Sequence, residues 1–188
     1  MADDDIISIV DHHLQKWIEM KLNRRPAKID PLMADPNQDP TEEWRIWFPI
    51  DSKVSDNEIA EFEMQIGHKL PSDYIIFLKY KHFYELNISE ASFCKHPVNT
   101  WRRELVKMIY EGYPKEYLID KGLIPFADWS DWGLLCFDTN RNFLSANYPI
   151  VLWDHEIADW NKDFCISFKS LIKKLDKDDK ESWAQNES

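Results

Sequence analysis

A chain of 188 residues, 44% apolar and 14% aromatic, is long enough to bury a core as one domain. Its 34 acidic and 23 basic residues give a net charge of -11, a field that repels phosphate backbones and favours basic protein partners. The four glycines, Gly67, Gly112, Gly122 and Gly133, allow no phosphate loop or dinucleotide fingerprint, and Cys94, Cys136 and Cys165 stand too far apart for a disulfide framework or a CxxC zinc site. The opening residues Met1, Ala2, Asp3, Asp4 and Asp5 are the reverse of a basic signal-peptide start, and no apolar run has membrane-spanning length. A reduced, cytoplasmic protein is expected.

Residues 5–22 place Ile6, Ile7, Val10, Leu14, Trp17, Ile18 and Leu22 on one helical face, and the mixed sign of the polar face favours packing on the parent domain over a membrane. Pro26, Pro31, Pro36 and Pro40 forbid helix over 23–43, so residues 1–43 read as an N-terminal helix plus an extended connector packed on the domain. Trp44, Ile46, Trp47, Phe48 and Ile50 predict a strand entering the core. Ser55 with Glu58 makes a capping box, and Ile59, Phe62 and Ile66 form the buried stripe of the helix it starts. Gly67 closes that helix and Pro71 turns the chain. A second helix follows, capped by Ser72 or Asp73, with Tyr74, Phe77 and Leu78 at i, i+3 and i+4.

Trp101, Leu105, Met108 and Ile109 predict a helix over 100–110, ended by Gly112, with one more helical turn in 114–120. Residues 123–127, 134–138 and 150–154 read as an antiparallel meander with a turn at 138–142. Phe168, Leu171, Ile172 and Leu175 make a last helix capped at Ser167, and 176–188 reads as a charged, frayed tail. The order of elements is that of an α+β domain over 44–175, a central and mostly antiparallel sheet of about four to six strands flanked by helices.

Few residues carry chemistry. Asp154, His155 and Glu156 are adjacent on a strand or the bend after it, so their side chains diverge and do not make a metal or catalytic triplet. His12 and His13 lack the i, i+4 spacing of a shared metal and read as surface histidines. Residues 176–181 have the charge of a calcium loop but lack the glycine that makes its sharp turn. No nucleophile elbow and no His-Glu-x-x-His is present, so no catalytic residue, metal or cofactor is expected. What remains is the segment 126–133. Asp128, Trp129, Asp131 and Trp132 there offer rigid aromatic area with negative charge, a combination suited to a basic partner, or else the two tryptophans are core beneath a turn. Asp154 and Glu156 are the next acidic candidates.

These motifs resemble a family. A helix with an apolar stripe, followed by Ile66, Gly67, Leu70, Pro71, Asp73, Tyr74, Phe77 and Leu78 at their present spacing, is similar to the signature of the SUKH superfamily. That superfamily includes bacterial toxin-immunity proteins and Smi/Knr-like fungal regulators of cell-wall synthesis. Leu123 to Asp128, Trp132 to Asp138, Val151 to Glu156 and the Phe168 to Leu175 helix continue the resemblance over about 44–175. Where the family often places an Asn-Gly turn after the second helix, this chain has Lys81, His82, Phe83, Tyr84, Glu85 and Leu86. The resemblance implies a SUKH-like fold and a non-enzymatic immunity protein binding a basic toxin domain, such as a nuclease, without direct contact to nucleic acid or membrane. Its alternative implication is a regulatory or scaffolding protein-binding module with no toxin partner.

Overall fold

The computed structural model describes residues 3–26, 28–141, 147–157 and 160–186. In chain order these form α1 (Asp3–Glu19), β1 (Arg24–Arg25), β2 (Arg45–Ile46), β3 (Ile50–Asp51), α2 (Asp56–Ile66), α3 (Ser72–Leu78), β4 (Lys81–His82), β5 (Asn87–Ile88) and β6 (Ala91–Phe93). Then follow α4 (Trp101–Tyr110), two short 3-10 turns (Lys115–Tyr117 and Ile119–Lys121), β7 (Leu123–Trp129), β8 (Gly133–Asp138), β9 (Ile150–Asp154), β10 (Asn161–Cys165) and α5 (Phe168–Asn186). The fold is α+β.

Local chemistry explains most of the helix boundaries. The Glu58 amide donates to the Ser55 hydroxyl while the Glu58 carboxylate accepts from the Ser55 amide, which starts α2 as a closed capping box. Gly67 at φ 74 ends it, its amide donating to the Glu63 carbonyl. At α3 the cap is Pro71 and no side chain satisfies the first turn in the usual way; instead the Asp73 amide donates to the Asn147 side chain. The expectation of a Ser72 or Asp73 cap is thereby corrected. Ser167 and Ser170 exchange amide-to-hydroxyl bonds of 3.0 and 3.2 Å at the start of α5.

A six-stranded antiparallel sheet in the order β10-β9-β8-β7-β6-β5 forms the centre. The three meander strands stand where the apolar runs put them. Residues 44–50 do not join this sheet: β2 pairs with β1 and β3 with β4 in separate two-stranded ribbons, although Trp47 between them is fully buried. Pro49 interrupts the run, which explains why it breaks into two short pieces.

Rings from four directions meet in the core. Tyr74 and Phe77 of α3, Phe126 of β7, Phe137 of β8 and Phe168 of α5 are all buried, with Phe126 stacked on Phe137 at 4.2 Å and Phe168 edge-on to Tyr74 at 5.1 Å. Phe62 of α2 is wholly buried beside Trp101 of α4 at 5.7 Å. A smaller cluster of Leu118, Leu123, Leu134, Cys136, Val151 and Trp153 has Tyr113 and Tyr117 packed at its margin.

Three expectations at the ends of the chain are corrected. The buried stripe of α1 is Ile6, Val10 and Leu14, and the helix stops at Glu19, leaving Leu22 exposed. His13 is buried rather than on the surface, 3.2 Å from Asp176, and burial pulls its pKa down despite that carboxylate. The third correction concerns the tail: α5 continues through residues 176–186 instead of fraying. Ion pairs at i, i+4 (Lys174 with Asp178, Lys180 with Asp176) support its exposed side. On the inner side Lys16 reaches Asp179 at 2.7 Å and lies over the Trp183 ring at 4.2 Å, while Lys169 and Lys173 converge on Asp5 and hold its carboxyl down at about 2.

Candidate functional site

The segment 126–133 is not a loop but the end of a hairpin. β7 runs to Trp129, which pairs with Gly133, so only Ser130, Asp131 and Trp132 form the turn, entered through Ser130 at φ 52. Strand alternation then divides the candidates. Ser92, Asp128, Leu134 and Trp153 stand in one cross-strand row, and Ala91, Trp129, Gly133 and Asp154 in the next. Neighbours in sequence, Asp128 and Trp129 therefore face opposite sides of the sheet.

Trp129 is half-buried, its ring edge-on to Phe164 of β10 at 4.8 Å, a reach made across Gly133. A Cβ at Gly133 would stand 3.0 Å from both the Leu152 side chain and the Trp153 carbonyl. We expect Gly133→Ala to cost about 1 to 3 kcal/mol through this overpacking, read as a lowered urea midpoint; an unchanged midpoint would show that the strand can yield there.

The structure brings Asp131, Trp132, Asp154 and Glu156 to one end of the sheet. Trp132, half-buried, accepts the His155 amide through its carbonyl at 3.2 Å, and the Asp154 carboxylate accepts the Glu156 amide at 2.8 Å, which bends the chain as it leaves β9. Asp131 and Glu156 are exposed. Beside them Ile157 is 58% and Trp160 41% exposed, two apolar side chains that the sequence reading passed over because they stand singly in a polar stretch. Asp154, His155 and Glu156 do not converge: His155 stacks on Tyr113 at 6.1 Å, and its Nδ1 has no hydrogen-bond partner among the described residues. This end presents negative charge and aromatic area.

A cleft lies on the other face, between α4 and the strands β5, β6 and β7. It has a volume of about 340 Å³ and is lined by Tyr84, Glu85, Ser92, Phe93, Lys95, Glu104, Met108 and Asp128 among others. Half-buried Asp128 takes no hydrogen bond or ion pair from the described residues, and burial alone raises its carboxyl above the usual range. Burial also pushes the neighbouring Cys94 thiol up to about 12 and raises those of Cys136 and Cys165, so none of the three is an activated nucleophile. Among the described residues no group of three His, Cys, Asp or Glu side chains could hold a metal ion, and no helix is long and apolar enough to cross a membrane.

A SUKH family model described as SMI1-KNR4 cell-wall matches residues 43–176, most of the chain. The chain belongs to the SUKH family. A comparison with curated proteins finds no match. The SUKH match takes in the whole six-stranded sheet, α2, α3, α4 and the start of α5. Tyr74 and Phe77 of the motif that first suggested SUKH membership are central rings of the core, so that part of the signature encodes packing. Outside the SUKH region lie α1 and α5 beyond Asp176, and they pack on one another.

Proposed function

We propose that this SUKH protein is a non-enzymatic immunity protein, binding and neutralising a cognate basic toxin domain in the cytoplasm. The observation that carries the reading is the gathering of Asp131, Trp132, Asp154 and Glu156 with exposed Ile157 and Trp160 at one end of the sheet. Asp128 and Trp129 back this end from β7. Family membership supports protein binding as the mode of action, and the net charge of -11 supports a basic partner, such as a nuclease domain whose own surface must attract phosphate.

Kinetics against the product of the adjacent gene test the reading. Association should slow as salt rises, because the Debye length is only about 10 Å at 0.1 M, and Asp131→Lys with Glu156→Lys should slow it further. Trp132→Ala or Trp160→Ala should mainly speed dissociation, at a cost of about 2 kcal/mol or more if either side chain anchors the interface. A partner whose rates ignore all four changes docks elsewhere. The second reading, a regulatory or scaffolding module without a toxin partner, is favoured by the cell-wall description of the matched family. An isolated gene, and co-purification of host proteins through the same surface, would decide for it.

A further inference from the structure

The cleft beside α4 is lined by three carboxylates, Glu85, Glu104 and Asp128, and by one amine, Lys95. Arg103 lies 3.6 Å from Glu104, and Arg102 of the same helix is committed to Glu61 and Gln65 of α2. Lys95 makes no ion pair among the described residues, and no cation reaches Asp128. A second hollow of about 370 Å³, lined also by Lys107 and Glu111, continues the cleft past Met108 and Asp128 to Tyr113, so that Asp128 stands where the two meet; Lys107 makes no ion pair with it. An unpaired carboxylate half out of water is a standing cost to the fold, and a cation placed beside it would recover that cost.

We propose that this cleft is a receptor site for one arginine side chain presented by a partner protein, its guanidinium seated on Asp128. Three features favour guanidinium over ammonium. The planar guanidinium is weakly hydrated and tolerates the apolar walls formed by Met108, Phe93 and Tyr113. Its fork can take Asp128 with one edge and leave other N–H groups for the Glu104 carboxylate on the facing helix. Finally, this protein already uses an aromatic wall in that way at the far end of the cleft system, where the Arg25 guanidinium lies 4.5 Å over the Tyr84 ring. Strand alternation keeps this site on the opposite face from Trp129, so it is separate from the exposed sheet end and does not depend on the partner being a toxin.

The test uses the full chain and small cations, so its result is independent of any partner. Amide chemical shifts are followed by NMR during titration with ethylguanidinium chloride, with n-butylammonium chloride and sodium chloride as the other arms. Saturable shifts at Ser92, Glu104, Met108 and Asp128 are expected with ethylguanidinium, weaker ones with butylammonium, and only uniform screening with sodium. Asp128→Asn should weaken ethylguanidinium binding by about tenfold or more while Glu19→Gln, at an exposed carboxylate of α1, leaves it unchanged. Removing a desolvated charge should leave Asp128→Asn at least as heat-stable as the parent, which separates lost binding from lost folding; Glu104→Gln, on the other wall, should weaken binding in the same direction. Shifts that never saturate, that are matched by sodium, or that persist unchanged in Asp128→Asn would overturn the proposal.

Discussion

Phe168→Ala should lower the stability of this protein by about 3 to 5 kcal/mol, a large fraction of what holds a domain together. The ring stands at the start of α5 with no exposed surface, 5.1 Å from Tyr74, 5.2 Å from Phe77, 5.7 Å from Phe126, 6.1 Å from Phe137 and 6.2 Å from Phe93. These partners belong to α3, β6, β7 and β8, so a single side chain ties the last helix to the motif helix and to three strands. Collapse into the vacated volume is resisted because Phe126 and Phe137 are already stacked, Phe137 in register with Ile124 and the Phe126 carbonyl accepting the Cys94 amide. Thermal melts should show a fall of roughly 6 to 20 °C, while Phe164→Ala, at the half-buried edge strand, should cost less. A Phe168→Ala melt superimposable on the parent's would remove Phe168 from the centre of the core.

Acid should destabilise the protein well before its carboxylates titrate. His82 and His96 are both buried and stacked at 4.8 Å. The Lys53 amide donates to His82 Nε2, so His82 carries its proton on Nδ1 and donates it to the His96 carbonyl; His96 donates from Nε2 to the Leu78 carbonyl. Its Nδ1 is buried without a partner, so a second proton there would be a cation with nothing to accept it, against His82. Burial first, and His82 second, bring the pKa of His96 down to about 3 from an ordinary 6.5, and burial lowers that of His82 as well. Below pH 6.5 the unfolded chain takes up a proton that the native state refuses, so stability is full above that value and declines as pH falls toward 3. Integrated over the window, His96 alone accounts for about 4 to 5 kcal/mol. Stability from urea titrations between pH 6 and 4 should fall by roughly 1.4 kcal/mol per pH unit through His96, with His82 adding in the same direction. His96→Gln, whose amide can still donate to Leu78, should flatten that slope; an equally steep decline in the variant would assign the acid sensitivity to other groups.

The parts of this fold that could be read in advance are those where local chemistry and burial agree. The Ser55–Glu58 box, the Gly67 stop and the apolar runs of β7, β8 and β9 each announce themselves because a cap, a left-handed residue or a fully buried strand restricts residue type. β10 does not: Asn161, Lys162, Asp163, Phe164 and Cys165 lie at an exposed edge, where neither alternation nor β-branched side chains are required. The continuation of α5 was hidden for a related reason, since a run of lysines and aspartates acquires helix-supporting partners only once Lys16 and His13 of α1 are beside it. At the sheet end, Asp131, Trp132, Asp154 and Glu156 were legible as candidates one by one. Their adjacency depends on the Gly133 to Asp154 register, and the division of Asp128 from Trp129 depends on β7 extending through both. His82 and His96 meet through an isolated bridge between Phe83 and His96, a pairing with no sequence signal at all.

Full docking of α1 waits on a segment far along the chain, because α1 lies against both α3 and α5. His13 and Lys16 meet partners 163 positions further on, so until α5 is made the stripe of Ile6, Val10 and Leu14 can be covered only in part, by α3. Closing so long a loop is entropically costly and slow, and it places α1 among the late events of folding, after the sheet and the aromatic core have formed. Until then part of an apolar helix stays uncovered, the kind of segment on which chaperones act and through which crowded neighbours aggregate.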